Sequence, residues 1–204
     1  MNSIVRFTGD PFVDAGAAVL EYRLNKPASE INLEDLQRQA AELEEIYRRK
    51  AWSGYLSVIF PNSCWCNPTM SGASREKQRR TLLDSFGWPA IPDRTCSYCQ
   101  RPAQHMADRS TVPMLTGATA MTAGAWGQPG LPVCSACQYA VQFYPLATLK
   151  VQGRPLFWWT PHHRWMFALT EIFAIRVDQL VTASPNGMPN LRLPSSPRLE
   201  AAEE

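Results

Sequence analysis

Long apolar runs are missing from this chain of 204 residues; nothing in it approaches the roughly 18 consecutive apolar residues that a membrane-spanning helix requires. The N-terminus, MNSIVRFTGDPF, has no apolar stretch of the kind that opens a secretory signal, so the expected compartment is the cytoplasm, without a membrane anchor. Histidine is scarce, with three residues, and no P-loop, G-x-S-x-G or H-E-x-x-H pattern occurs, which removes the commonest signatures of phosphoryl transfer, serine hydrolysis and zinc-dependent proteolysis. The net charge of +2 is too small for a protein that holds nucleic acid by bulk electrostatics alone. What remains is a chain with 45% hydrophobic residues, long enough for one substantial core or for a core with a small satellite.

Charge is unevenly placed. Glu30–Arg49 carries six acidic and three basic residues, whereas Asn62–Arg109 carries seven basic and four acidic ones. Asp10-Pro11 reads as an N-cap followed by proline at the first helical position, opening a helix to Leu24 with Phe12, Ala15, Val19 and Tyr22 on one side. Gly16 weakens that helix on propensity, and Ile4–Thr8 before it reads as a short strand. Asn32-Leu33-Glu34-Asp35 resembles a capping box. The helix it opens has Leu33, Leu36, Ala40, Leu43 and Tyr47 on one face and Glu44–Arg48 and Glu45–Arg49 pairs outside.

Tyr55–Phe60 (YLSVIF) is short, apolar and rich in strand formers, and Pro61 ends it. Pro61–Met70 is a loop by composition, followed by a helix over Ser74–Phe86 with Leu82, Leu83 and Phe86 inward and Gly87 as its stop. Thr111–Gly130 has little periodicity and suggests loops or short strands. Beyond it the pattern predicts a short helix over Cys137–Tyr144 and a hairpin, Thr148–Val151 with Pro155–Trp159, turning at Gln152-Gly153. A long helix follows over His162–Thr182, with Met166, Leu169, Phe173, Val177 and Leu180 on one side. From Ser184 onward proline and polar residues dominate, as in a disordered tail or linker. Trp158, Trp159 and Trp165 are expected in the core, with Trp65 as the exposed exception.

Six cysteines in a reducing compartment do not describe a disulfide framework. Four of them form two C-x-x-C pairs, Cys96-Ser97-Tyr98-Cys99 and Cys134-Ser135-Ala136-Cys137, separated by 34 residues. C-x-x-C is the spacing at which one tight knuckle turns two thiolates toward a common point, and two such knuckles supply the four ligands of a tetrahedral zinc site. The competing readings are ordinary buried cysteines or a redox pair, but a redox C-x-x-C normally occurs once, in a thioredoxin-like βαβ context that is missing here. Four thiolates close the coordination shell, so the expected Zn2+ is structural, not catalytic. Cys64 and Cys66, one residue apart, chelate poorly and read as free thiols.

The serious enzymatic rival is a His-metal nuclease of the HNH kind, which also sits between C-x-x-C pairs. It requires a histidine followed by asparagine and a second histidine within the excursion. Only His105 lies there, and no asparagine occurs between Cys99 and Cys134. The chain therefore reads as a non-enzyme. Nucleic-acid contact has a local signal: Asn62, Ser63, Trp65 and Asn67 combine amides with an aromatic ring, and Arg75, Lys77, Arg79 and Arg80 follow on a helix where they would hold phosphates. The bland alternative is a surface loop and a charged helix face.

Several segments in order carry a resemblance: TGDPFVDAG (Thr8–Gly16), FPNS followed shortly by NP (Phe60–Pro68), CSYCQR (Cys96–Arg101) and GLPVCSAC (Gly130–Cys137). From about Thr8 to Trp159 the chain resembles the CXXC–CXXC family of CRISPR-associated proteins, the large subunit of type I Cascade complexes of the I-B and myxobacterial kinds. The resemblance implies a part in RNA-guided recognition, in which guide RNA reads the target by pairing and protein reads a short adjacent motif in duplex DNA. It places motif reading on Asn62–Asn67 and backbone grip on the basic helix. The implied partners are the subunit that caps the RNA handle, the backbone subunits, the guide RNA and the target double-stranded DNA. Members of that family are longer and end in a helical bundle, so the resemblance further implies an amino-terminal portion or a shortened variant. A nuclease-helicase or transposition proteins would act downstream.

The expected class is α+β, mixed helices and short strands with an inserted four-cysteine module. Residues 1–88 form an N-terminal region with the DNA-reading loop, 89–147 the zinc-binding insert, 148–183 a hairpin and helix completing the core, and 184–204 a tail. A zinc-stabilised adaptor that touches only protein is the rival binding reading; salt-dependent binding to duplex DNA separates the two.

Overall fold

The computed structural model of the chain describes residues 4–114 and 130–183. Asp10 caps the first helix, its carboxylate accepting from the Phe12 and Val13 amides (3.0 Å each), and Pro11 occupies the first turn of α1 (Pro11–Leu24). The expected strand before it does not form. The amides of Thr8 and Gly9 turn back onto the buried Asp14 carboxylate (2.7 and 3.0 Å), and so have no sheet partner to seek. The TGDPFVDAG segment is thus a self-contained helix entry.

The capping box at Asn32 is present, with Asp35 as its reciprocal partner, and opens α2 (Leu33–Tyr47). Leu36, Ala40, Leu43 and Tyr47 are buried as the periodicity predicts, but Leu33, at the first turn, is 44% exposed. Glu44–Arg48 and Glu45–Arg49 pair along its outer side.

Tyr55–Phe60 is not a strand. It is the second half of α3 (Lys50–Ile59), in which Trp52, Tyr55, Leu56 and Ile59 form one fully buried stripe at helical spacing. Taken alone, the six residues hide that period; Trp52, one turn earlier, reveals it. Ser71 caps α4 (Gly72–Leu83), and a 3₁₀ turn over Ser85–Gly87 ends this part of the chain.

After a two-stranded sheet, β1 (His105–Ala107) antiparallel to β2 (Leu131–Val133), come α5 (Ser135–Phe143) and a 3₁₀ turn, Tyr144–Ala147. The predicted hairpin is present as β3 (Leu149–Val151) and β4 (Arg154–Leu156), turning through Gln152 (φ 48°) and Gly153 (φ 83°). The last described element is α6 (His163–Ala183). Its buried stripe is Met166, Thr170, Ala174, Val177 and Val181, rotated from the predicted one, so Leu169, Phe173 and Leu180 are only half-buried. Helices with two small antiparallel sheets make the chain α+β. The Ser184 tail and residues 115–129 of the Thr111–Gly130 stretch lie outside the described residues, and no helix among those described is long and apolar enough to cross a membrane.

The core is organised around α1, which packs on α5 and α6 and is buried on nearly all sides. Gly16 faces the Ala140 carbonyl of α5 so closely that any Cβ there would overlap it. Arg23 then ties three helices together: Nε donates to Gln39 (2.8 Å), one Nη to Glu42 (2.9 Å) and the other to Asp178 (2.8 Å). Against this frame lie the buried rings of Tyr47, Tyr55, Tyr139 and Tyr144.

Burial pushes the phenols of Tyr47, Tyr55, Tyr139 and Tyr144 above their ordinary value. The folded chain therefore keeps protons that the unfolded chain releases above about pH 10. Stability is full below that pH and falls as pH rises through it. In an alkaline titration the phenolate absorbance of these rings is expected to appear only together with loss of helical circular dichroism; gradual ionisation of a still-folded protein would contradict their burial.

Candidate metal centre

The two knuckles are brought together by backbone, not by their own sequence. Gln100, in the left-handed region (φ 62°), closes the first, its amide bonding the Cys96 carbonyl at 2.9 Å. The Ser97 amide donates to Pro132 (2.9 Å) and the Gln104 amide to Val133 (2.8 Å), so the first knuckle is stitched to the strand leading into the second. Gly130, just before that strand, has φ 108°, and a Cβ there would press on the Ala107 carbonyl at 3.0 Å. Cys134 is the N-cap of α5, its sulfur accepting from the Cys137 amide at 3.5 Å.

The result is that Cys96, Cys99, Cys134 and Cys137, all buried, place their sulfurs within 4.8 Å of one another. Cys99 and Cys134 sulfurs are 3.5 Å apart. A disulfide requires about 2.05 Å, whereas four sulfurs about 2.3 Å from a central zinc lie about 3.8 Å apart. The observed spacing fits the tetrahedron, and the four cysteines are free of disulfides. The set could hold a metal ion such as zinc.

The electrostatics agree with that fit. The Cys137 thiol and then the Arg101 guanidinium, whose Nε is 3.3 Å from the sulfur, pull Cys99 down to about 5. Cys134, Cys96 and Cys99 crowd Cys137 and hold it far above its usual value. Four touching sulfurs resist ionising together by mutual repulsion, and a dication among them favours the charged form of all four. Arg101 adds one positive charge to the rim and also donates to the Ile4 carbonyl at 3.2 Å, anchoring the chain's start to the knuckle. Metal affinity is accordingly expected to fall as pH is lowered, because binding releases protons. Zinc retained at neutral pH and lost in acid, followed by metal analysis after desalting, is the expected result; retention through strong acid would be inconsistent with thiolate ligands.

Cys64 and Cys66 stand apart from this cluster. Burial pushes the Cys64 thiol up to about 12, and the Cys66 sulfur contacts the Phe60 carbonyl at 3.3 Å. His105 is also outside it. Its Nε2 is 3.0 Å from the Ser135 hydroxyl, which donates its own proton to the Ser85 carbonyl (2.8 Å). His105 Nε2 must therefore carry hydrogen, which makes it a buried donor in a structural chain and a poor base toward that serine.

The expected nucleic-acid residues divide sharply. Asn62 is exposed, at φ 64°, on the tip between α3 and α4. The next three residues, Ser63, Cys64 and Trp65, are buried. Trp65 is thus not the exposed ring expected: its Nε1 donates to Gln142 of α5 at 3.1 Å and its ring meets Tyr47 edge-on at 5.3 Å. Asn67 is half-buried, its side-chain oxygen accepting from the Thr69 amide and hydroxyl (3.0 and 2.8 Å). Arg75 is exposed and donates to the Asn67 carbonyl at 2.8 Å. Arg79 pairs with Glu44 and Glu76, and Arg80 with Glu76. Arg75 and Lys77 have no carboxylate partner among the described residues.

The tryptophans expected in the core are the reverse of Trp65. Trp158 is 56% exposed, Trp159 41% and Trp165 64%. Along Arg154–Trp158 exposure alternates, so Phe157 turns inward onto Phe12 and Tyr144 while Trp158 turns out; Trp165 lies beside the buried Met166 stripe, not on it.

Comparison of the chain with protein-family models, with curated proteins and with solved structures finds no match.

Proposed function

We propose that this chain is a non-enzymatic DNA-recognition subunit of a type I Cascade complex, folded around one structural zinc. The support is the ordered set of motifs from Thr8 to Cys137, together with one feature of the fold. The Asn62 side chain projects from a loop whose following residues are pinned into the core, and a rigidly presented amide is suited to reading a base edge. Arg75 and Lys77, in the first turns of α4, have no carboxylate partner among the described residues and are the cations suited to meet phosphates, whereas Arg79 and Arg80 are neutralised locally and are secondary. Four thiolates would fill every zinc position, leaving none for a reactive water, and the isolated chain with magnesium is expected to leave DNA uncut.

In the assembled complex, Asn62→Ala is expected to weaken binding to a target bearing the correct adjacent motif by about tenfold or more, and binding without that motif much less. Arg75→Ala with Lys77→Ala is expected to flatten the salt dependence by about one unit of slope per lost phosphate contact. If target binding and its salt slope are the same in all variants, the chain acts without touching DNA. The adaptor reading then stands, and the neutralised Arg79 and Arg80 are the observation that favours it.

A further inference from the structure

No carboxylate occurs between Glu45 and Glu76, nor between Asp108 and Glu171. The fold packs these two acid-free stretches together, α3 of the first against β4 of the second. The outer surface of the second carries Lys150, Arg154 and Arg164, none in an ion pair among the described residues, and the exposed rings of Trp158, Trp159 and Trp165. Most acids of this chain lie elsewhere, on α1, α2 and α4 and near the cysteine knuckles. On α6 Glu171 stands about two turns beyond Arg164 and Asp178 pairs with Arg23. The nearby Glu21 is buried and bonded to the Ala28 amide (2.6 Å) and to His163 (2.9 Å).

We infer that the β4–α6 connection is a binding platform for single-stranded nucleic acid, on which bases stack against Trp158, Trp159 and Trp165 while Lys150, Arg154 and Arg164 hold the backbone. Three large rings open to solvent within eight residues of chain are costly to leave in water unless something covers them. An unopposed positive surface selects a polyanion, and flat rings select one with π-faces to stack. Single strands offer both, whereas the paired bases of a duplex keep their faces covered. Arg154, Leu156 and Trp158 point out from one side of the extended segment, so a cation and a ring share one face of it, as the phosphate and base of one strand would require. This platform uses none of the residues assigned to duplex reading and does not depend on that proposal.

The test uses the full zinc-loaded chain and two labelled probes, a short oligothymidylate and a short oligouridylate, followed by anisotropy and by intrinsic tryptophan fluorescence at low and physiological salt. Binding is expected to quench the tryptophans, to protect them from a soluble quencher and to weaken with salt. Trp158→Ala and Trp165→Ala are each expected to lower affinity about tenfold, and Arg154→Gln with Arg164→Gln to reduce the salt slope. All four side chains are exposed, so zinc content and helical signal should be unchanged. The proposal is overturned if neither probe binds at low salt, or if binding persists unaltered in the tryptophan variants. It is equally overturned if vesicles of anionic phospholipid quench these rings while the oligonucleotides do not, which would make the surface a membrane contact. Asn62→Ala leaves this binding intact, so its outcome and that of the duplex experiment are read independently.

Discussion

Cys96→Ser is expected to remove stoichiometric zinc and to unfold the protein at ordinary temperature. The wild-type chain is expected to carry one zinc per molecule. Structural zinc contributes on the order of 10 kcal/mol to folding in small metal-dependent domains, with strong dependence on pH. A whole domain of this size has roughly 5–15 kcal/mol of net stability, so the loss of one ligand is comparable with everything the fold holds in reserve. The geometry says why the damage would spread. The Cys134 sulfur sits at the start of α5, and α5 is the helix on which α1 lies. Loss of a metal bound there would loosen the entrance of the central helix pair, not merely a peripheral loop. Metal analysis with denaturant titration decides the matter: a Cys96→Ser protein as stable as wild type, or wild type purified from zinc-containing medium with no bound metal, is incompatible with this role. Cys64→Ser serves as control, since Cys64 is outside the cluster, and should keep the metal.

Gly16→Ala is expected to be nearly as damaging, against the usual trend. Replacing glycine by alanine inside a helix ordinarily stabilises by about 0.5–1 kcal/mol, because alanine has less freedom to lose. At Gly16 the added methyl would overlap the Ala140 carbonyl, a backbone atom that moves only if α5 moves. Overpacking of a tight core costs about 1–3 kcal/mol and more where no side chain can yield, so a loss of at least about 3 kcal/mol is expected. Gly54 is the internal comparison. It too lies within a helix, but a Cβ there meets nothing within 4 Å, so Gly54→Ala should raise stability by about 0.5–1 kcal/mol. The two substitutions should shift denaturation midpoints in opposite directions; a neutral Gly16→Ala would mean that α1 and α5 do not approach as closely as described.

The contrast between these glycines shows where sequence reading reached its limit. Gly16 looked like a weak point in α1 by propensity, and it is the residue that permits α1 and α5 to touch. The same limit appears with the tryptophans. Trp65 lies in a loop of asparagine, serine and proline, which suggested exposure, but Gln142, far away in the chain, provides its hydrogen-bond partner. Trp158, Trp159 and Trp165 lie in apolar-looking sequence, and no element among the described residues covers them fully. The YLSVIF segment reads as a strand for a more local reason, since the period that makes it helical extends back to Trp52.

Local signals decided what depends on neighbours a few residues apart. The Asp10-Pro11 and Asn32–Asp35 helix starts, the Gln152-Gly153 turn and the two C-x-x-C knuckles all follow from side-chain bonds, backbone preferences or ligand spacing within a single turn of chain, and all are legible in the amino-acid order. Tertiary structure alone decided which surfaces meet. It set the convergence of the knuckles through the β1–β2 pairing, the three-helix anchorage at Arg23, the neutralisation of Arg79 and Arg80, and the choice of which aromatic rings face water. Those outcomes depend on contacts between residues distant in sequence, where a side chain's environment is made by the packing of whole elements and leaves no periodic trace in its own segment.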